Sequence, residues 1–245
     1  MSQINEKLLD LTFHEDNTIA LMTFNVHTIT IPLVRAINEK LDELEKTTGP
    51  LCLITTSRHK KIYSAGLDFK VFDQHSEDIH NLIAELCRMF ARFMELPFPT
   101  IAGINGHCLA GGFMFAMSHD LRIMNSELGK LGMTEINLGM TIPLNMMASL
   151  QAKMTPISLR EVCLFGETLS PQQGFNLGII DVLEKPESLI KTIFAKAKLL
   201  STLAINREAF KGIKVNLNKK HIEQAEAGVR DYYKDAIIRK RQVSL

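Results

Sequence analysis

The sequence predicts an α/β unit with parallel crossovers, followed by a helical C-terminal part, and three observations carry that expectation. First, residues 8–13 and 18–24 are rich in β-formers and flank the turn-like His14-Glu15-Asp16-Asn17, the pattern of an antiparallel hairpin. Second, Leu33, Val34, Ile37, Leu41 and Leu44 recur at three- and four-residue steps, with charged residues between them. They describe an amphipathic helix that ends before Gly49-Pro50, and the strand-length apolar run 51–56 follows it. A strand, a helix and a doubly buried strand in that order make a parallel crossover. Third, two or three helices fill residues 189–239. A core domain over 1–185 and a helical region over 186–245 are therefore expected.

The remaining elements follow the same logic. Residues 79–96 have helical period, with Ile79, Ile83, Leu86, Phe90 and Phe93 on one side and Pro97 and Pro99 as stops. Residues 100–104 read as the next strand. Residues 105–119 pass Gly106 and Gly111-Gly112, suggesting a strand, a glycine turn and a buried helix, and 121–124 is strand-like again. After Gly139 the pattern turns helical over 144–152 and 158–165. A short helix with Ser170 as N-cap and Pro171 in its first position comes next, then a last strand over 179–183.

Composition bounds the function. In 245 residues, Lys and Arg total 28 against 27 Asp and Glu, so no global field favours nucleic acid or a membrane, and any phosphate binding must be local. Cys52, Cys87, Cys108 and Cys163 form no C-x-x-C pair and lie in apolar segments, as core thiols of a reducing compartment would. No apolar run reaches the roughly 18 residues of a membrane span. The first residues carry Glu6 and Asp10 without an apolar or Arg-rich presequence pattern. Val243-Ser244-Leu245 lacks the basic middle residue of a peroxisomal address, so no targeting signal is readable. The eight histidines have no ligand spacing, so no metal is expected.

Three segments carry chemistry. In Tyr63-Ser64-Ala65-Gly66-Leu67-Asp68-Phe69-Lys70, Gly66 lets the backbone bend so that the Leu67 amide points into a cleft. In Ala110-Gly111-Gly112-Phe113-Met114, paired glycines leave amides at a helix start, where the dipole suits an anionic oxygen. Two preorganised amides on one oxygen form an oxyanion hole, in which each donor is worth about 2.7–4 kcal/mol of transition-state stabilisation. In the third segment, residues 132–143, Glu135 is a lone carboxylate among Met133, Ile136, Leu138 and further methionines. Burial there would raise its pKa toward working pH and make it a base.

Simpler readings stand beside these. A glutamate among apolar residues is more often a surface or capping residue than a catalyst. Met114, Met117, Met133, Met140, Met146 and Met147 would serve equally as an adaptable acyl pocket or as plain core. Lys60-Lys61 and the tail Arg239-Lys240-Arg241 fit phosphate contacts or, more simply, a solvated charge run. The glycines make no dinucleotide fingerprint. Ser118-His119-Asp120 cannot relay a proton as a hydrolase would, because consecutive side chains on one element diverge.

The strings SAGLDFK, NGHCLAGGFMFAMSHDLRI and TEINLGMTIP, in that order and spacing, resemble the enoyl-CoA hydratase/isomerase (crotonase) superfamily. The resemblance implies a crotonase (ClpP/crotonase-like) α/β fold of repeated ββα units, with the helical C-terminal region used for oligomerisation. It puts the oxyanion amides on Leu67 and Gly111, and the substrate along Val26, Thr28, Ala65, Gly66, Asp68, Gly112 and Met114. Hydratases of the superfamily use two glutamates; the first falls on Met114 here and the second on Glu135, a pattern similar to Δ3,Δ2-enoyl-CoA isomerases. Hydration is thereby disfavoured, since placing water and returning a proton recruits both acids.

The implied reaction moves the double bond of a 3-enoyl-CoA to the 2-trans position in unsaturated fatty acid β-oxidation. CoA enters as part of the substrate and no separate cofactor is implied. The resemblance also implies a homotrimer or stacked pair of trimers in a mitochondrion or peroxisome. Other acyl-CoA reactions of the superfamily, hydration or thioester hydrolysis, and a non-catalytic subunit of a larger assembly, are the competing expectations.

Overall fold

The computed structural model describes residues 8–68 and 76–227, with side chains of the second helix described from residue 81 onward. Phe69 and Lys70 of the first motif and the basic tail lie outside the described residues. The chain runs β1 (Leu9–His14), β2 (Ile19–Phe24), β3 (Thr28–Ile29), α1 (Ile31–Glu45), β4 (Cys52–Ser57), β5 (Ile62–Ser64), β6 (Gly66–Leu67) and α2 (Ser76–Phe93). It continues through β7 (Thr100–Ile104), β8 (His107–Leu109), α3 (Gly111–Met117), β9 (Leu121–Asn125), β10 (Leu131–Gly132), α4 (Ala148–Lys153), α5 (Pro156–Leu159) and α6 (Pro171–Asn176). It closes with β11 (Val182–Glu184), α7 (Pro186–Ser201) and α8 (Arg207–Glu226).

The main sheet has strand order β1-β2-β4-β7-β9-β11. β1 and β2 are the expected hairpin, paired from Leu9 opposite Phe24 to His14 opposite Ile19, and every later neighbour is parallel. Strand alternation sorts the core into two layers. Ala20, Met22, Phe24 and Leu53 face the layer that α1, α2 and α3 cover. Ile19, Cys52 and Ile54 face the other side, where Ile101 and Ile123 join them under Leu189, Ile193 and Ala197 of α7.

α1 begins where Thr30 caps the Leu33 amide and buries the five residues its period marked, each worth about 1.5–3 kcal/mol of burial. The four cysteines are free thiols, with Cys163 half-buried and the other three buried.

Two smaller sheets build the edge that carries the cleft: β10-β8-β5, and β3 paired with β6. Their strands are two or three residues long. Four expected elements are corrected. The second helix ends at Phe93, because the chain tightens there (Glu95 N–H to Arg92 O, 3.0 Å) ahead of Pro97, which disfavours a helical residue before it. The last strand is Val182–Glu184 and not 179–183, because the Ile179 and Ile180 amides close α6 by donating to Gly174 O (2.9 and 3.2 Å). The helix expected over 144–152 starts only at Ala148, and that over 158–165 is α5 followed by a π-helical turn, Arg160–Leu164.

Candidate active site

The cleft forms where β6, the start of α3 and the segment after β10 meet. It is a narrow cleft partly open to solvent, and Leu67, Gly111, Met114 and Glu135 all line it. Its remaining walls come mainly from the stretch Met140, Thr141, Ile142, Pro143 and Met146.

Leu67 arrives there through strand geometry. Successive amides of a strand point to opposite edges. Asp68 N–H donates to Ile29 O (3.1 Å) on the β3 side, so the Leu67 N–H faces the other edge. Gly111 lies at that edge: a Cβ built on it would sit 3.6 Å from Leu67 N. Gly66 carries φ +90°, and a Cβ there would come 3.0 Å from the Gly111 nitrogen, so a bare backbone is needed for the two segments to approach.

Gly111 opens α3, and a first helical amide has no intrahelical acceptor. The residue before it, Ala110, holds φ 51° and ψ −129°, a conformation that costs a non-glycine residue about 1–3 kcal/mol and that clusters at functional sites. Gly112 has a packing role: a Cβ on it would lie 2.5 Å from Ser64 Cβ and 2.8 Å from Ser64 O. Gly112→Ala must therefore push α3 off β5. A loss of about 1–3 kcal/mol, typical of overpacking, is expected in denaturant unfolding.

Glu135 sits just before a short 3-10 turn, Ile136–Leu138, and its backbone carbonyl accepts from Leu138 (3.0 Å) and Met140 (2.9 Å). Its carboxyl Oε2 is buried and has no hydrogen-bond partner among the described residues. Burial raises the carboxyl pKa, and the backbone amides of Glu135 itself and Thr134 pull it part of the way back. The expected burying neighbours are met in part: Leu138, Met140 and Met146 line the cleft with Glu135, and Ile136 does not. Ile136 and Leu138 are 47% and 45% exposed, whereas Met133 is buried and the methionine-bearing stretch after Gly139 closes over the cleft. Of the six methionines, Met114, Met140 and Met146 line the cleft, while Met117 and Met133 are core. Glu135 is the one titratable residue among the described residues lining the cleft.

The other candidate residues surround the cleft without lining it. Thr28 pairs with Gly66 across β3 and β6. Ala65 N–H bonds to His27 O (2.8 Å), and Val26 packs half-buried against the core. Sequence reasoning missed Ala110, whose strain only coordinates reveal. It left Thr134, Thr141, Ile142 and Pro143 without roles, although they stand in the quoted motif.

Ser118-His119-Asp120 diverge as expected. His119 Nε2 bonds to Thr55 Oγ1 (2.8 Å) and its Nδ1 to Phe115 O (2.9 Å), burial pushes its pKa down to about 3, and Asp120 pairs with Lys214.

A mostly parallel sheet with small side sheets, and a cleft that gathers two main-chain segments opposite one buried acid, define a protein of the crotonase fold class. Residues 14–238 match the family model described as enoyl-CoA hydratase/isomerase. The chain belongs to that enoyl-CoA hydratase/isomerase family. It is 31% identical over 198 residues to enoyl-CoA delta isomerase 3 of Arabidopsis thaliana, covering 78% of this chain and 82% of the relative. An enoyl-CoA hydratase/isomerase family protein from Pseudomonas syringae superposes with a TM-score of 0.82 at 26% identity, over 94% of this chain and 96% of that one. Human mitochondrial delta3-delta2-enoyl-CoA isomerase superposes with a TM-score of 0.83 at 21% identity, over 94% and 92% of the two chains, a likeness of fold. Among the described residues no helix is long and apolar enough to cross a membrane.

Proposed function

We propose that the protein is a Δ3,Δ2-enoyl-CoA isomerase. The observation that carries the reading is a lone carboxylate, with an unpartnered buried oxygen among the described residues, sharing a mainly apolar cleft with Leu67 and Gly111. Where the resembling hydratases carry a first glutamate, Met114 is 1% exposed and offers no proton. The name of the Arabidopsis relative supports the same reading.

In this mechanism the Leu67 and Gly111 amides hold the thioester oxygen. Glu135 takes a proton from C2: the C2–H bond breaks, its electrons enter the conjugated system and the oxygen becomes a dienolate. The same carboxyl then delivers the proton to C4, and the electrons return to leave a double bond between C2 and C3. One proton and one electron pair shift within the substrate, so the reaction balances without metal or redox cofactor. A pKa raised by burial serves both halves, making Glu135 a stronger base and keeping the proton close for return. We assign the half-exposed Val26, Thr28, Ala65 and Asp68, on or beside the β3–β6 pair, to the pantetheine side of CoA. The exposed Ile213 and Leu217 of α8, 64% and 78% accessible, suit a trimer contact.

The test supplies 3-enoyl-CoA and 2-enoyl-CoA separately. Ultraviolet absorption of the conjugated product is expected to grow with the first and stay constant with the second. Falling absorption with the second would identify a hydratase, and thiol release would identify a thioesterase. Because Glu135 must be ionised to accept the proton, the raised pKa moves the acid limb of kcat/KM upward. Activity is expected to decline at a pH above the ordinary glutamate value of about 4.3, which a pH–rate profile reads directly.

A further inference from the structure

We propose that Gln224, near the end of α8, is a positioning residue that fixes the roof of the cleft, a role that rests on the cleft being the active site. The roof is the stretch 140–147, which has no strand and only turns before α4. Met140, Thr141, Ile142, Pro143 and Met146 of this stretch line the cleft. Within the roof the backbone bonds are local: Met140 N–H to Glu135 O (2.9 Å) at one end, and the Met146 and Met147 amides to Pro143 O (3.0 and 3.1 Å) at the other. At its start Gly139 holds φ +67°, a left-handed position that ends the 3-10 turn with its amide on Ile136 O (3.0 Å).

A long-range clamp holds the opposite end. Gln224 Nε2 donates to Leu144 O (2.6 Å) and to Gln151 Oε1 (2.7 Å), so both hydrogens of a single amide tie the roof backbone and α4 to α8. Leu144 lies between the cleft-lining Pro143 and Met146. The anchor is rigid where it needs to be. Two residues before Gln224 and one after it, Ile222 and Ala225 are buried in a cluster with Ala91, Met94 and Ala148, and Ala148 is the residue that follows the roof.

The chemistry of the clamp explains its value. Leu144 is 55% exposed, so water replaces the lost donor when Gln224 is removed, and the folded state is little affected. The position of the roof is affected, and with it the apolar wall that keeps water from Glu135 and presses on the acyl chain. Gln224 touches no reacting atom; it acts through Pro143 and Met146.

Hydrogen exchange of the full chain over residues 140–147 tests the clamp without reference to any activity. Faster exchange is expected in Gln224→Ala and in Gln224→Glu, which keeps the size but has no donor, while Gln224→Lys, which keeps donors, should stay near the wild-type rate. With 3-enoyl-CoA, the first two variants are expected to raise KM by roughly 2- to 10-fold, the range of one ordinary hydrogen bond, with kcat changed less and melting temperature unchanged. Unchanged exchange in Gln224→Ala overturns the clamp. Faster exchange with unaltered KM and kcat overturns the positioning role, and so does a lysine variant that behaves like alanine while melting like wild type. Should the wild type leave 3-enoyl-CoA unconverted while exchange follows the pattern above, the clamp stands and the isomerase reading fails.

Discussion

Glu135→Gln is expected to lower kcat for a 3-enoyl-CoA by about 10²- to 10⁴-fold, the usual worth of a positioned acid–base group, with KM close to wild type. The amide keeps the size of the carboxyl and removes its basicity, so the substrate still enters and the main-chain amides still meet the thioester oxygen. What is lost is the group that receives the C2 proton. Stability supplies a control that separates catalysis from architecture. A glutamate held for structural reasons would lose partners on amidation and destabilise the fold. Glu135 Oε2 is buried without a partner, and burial raises the pKa of the group, so ionised Glu135 is itself a cost to the folded state. Glu135→Gln is therefore expected to melt at or above the wild-type temperature. An active variant, or an inactive variant that is also unstable, would remove Glu135 from the mechanism.

The parts of the molecule legible in the sequence are those whose information is local. The hairpin shows in its β-formers and turn, α1 in its period and the buried strand β4 in its apolar run, and they form within a residue or two of expectation. The Ser170 cap was equally plain, because a capping box writes both of its members within four residues: Ser170 Oγ accepts from Gln173 N–H, and the Gln173 side chain accepts from Ser170 N–H. Strands β3, β6 and β10 escaped, since two residues carry no period. Ile179 and Ile180 misled because they are as apolar as a strand and as buried, while their amides belong to the end of α6. At the site, the motifs pointed to Leu67, Gly111 and Glu135, which line one cleft, yet composition alone counted Ile136 among the neighbours that bury the acid, and it is 47% exposed. The strain at Ala110 and the bond from Gln224 to Leu144, 80 residues apart, depend on tertiary placement that no window of sequence contains.

The same is true of Lys214, a lysine of α8 that the fold buries. Its ammonium donates to Asp120 Oδ2 (2.6 Å) and to Phe98 O (3.4 Å), tying α8 to the start of β9 across 94 residues. Both side chains are largely removed from water, at 5% and 24% exposure. Thr100 supplies further donors from its amide (2.9 Å) and hydroxyl (3.0 Å) to the same carboxylate oxygen. Burial alone would raise the Asp120 pKa, but the charges of Lys214 and then Lys153, with these hydrogen bonds, outweigh it and hold the group below the ordinary aspartate range. Lys214→Met keeps the length and apolar stem and removes the charge, leaving a buried carboxylate short of its main partner. A loss of about 3–5 kcal/mol in denaturant unfolding is expected, the usual cost of breaking one side of a buried pair. The pH dependence follows from the sign. A carboxyl whose folded pKa is depressed contributes stability above its unfolded value, about 3.9, and that contribution is lost as pH falls through the folded value. In Lys214→Met the largest part of that contribution is lost while Lys153 and the Thr100 donors remain, so the gap between variant and wild type is expected to be widest near neutrality and to narrow below about pH 4. Adding Asp120→Asn to the variant should recover part of the loss by removing the stranded charge. If the double variant is no more stable than the single one, desolvation of Asp120 is not the origin of the penalty.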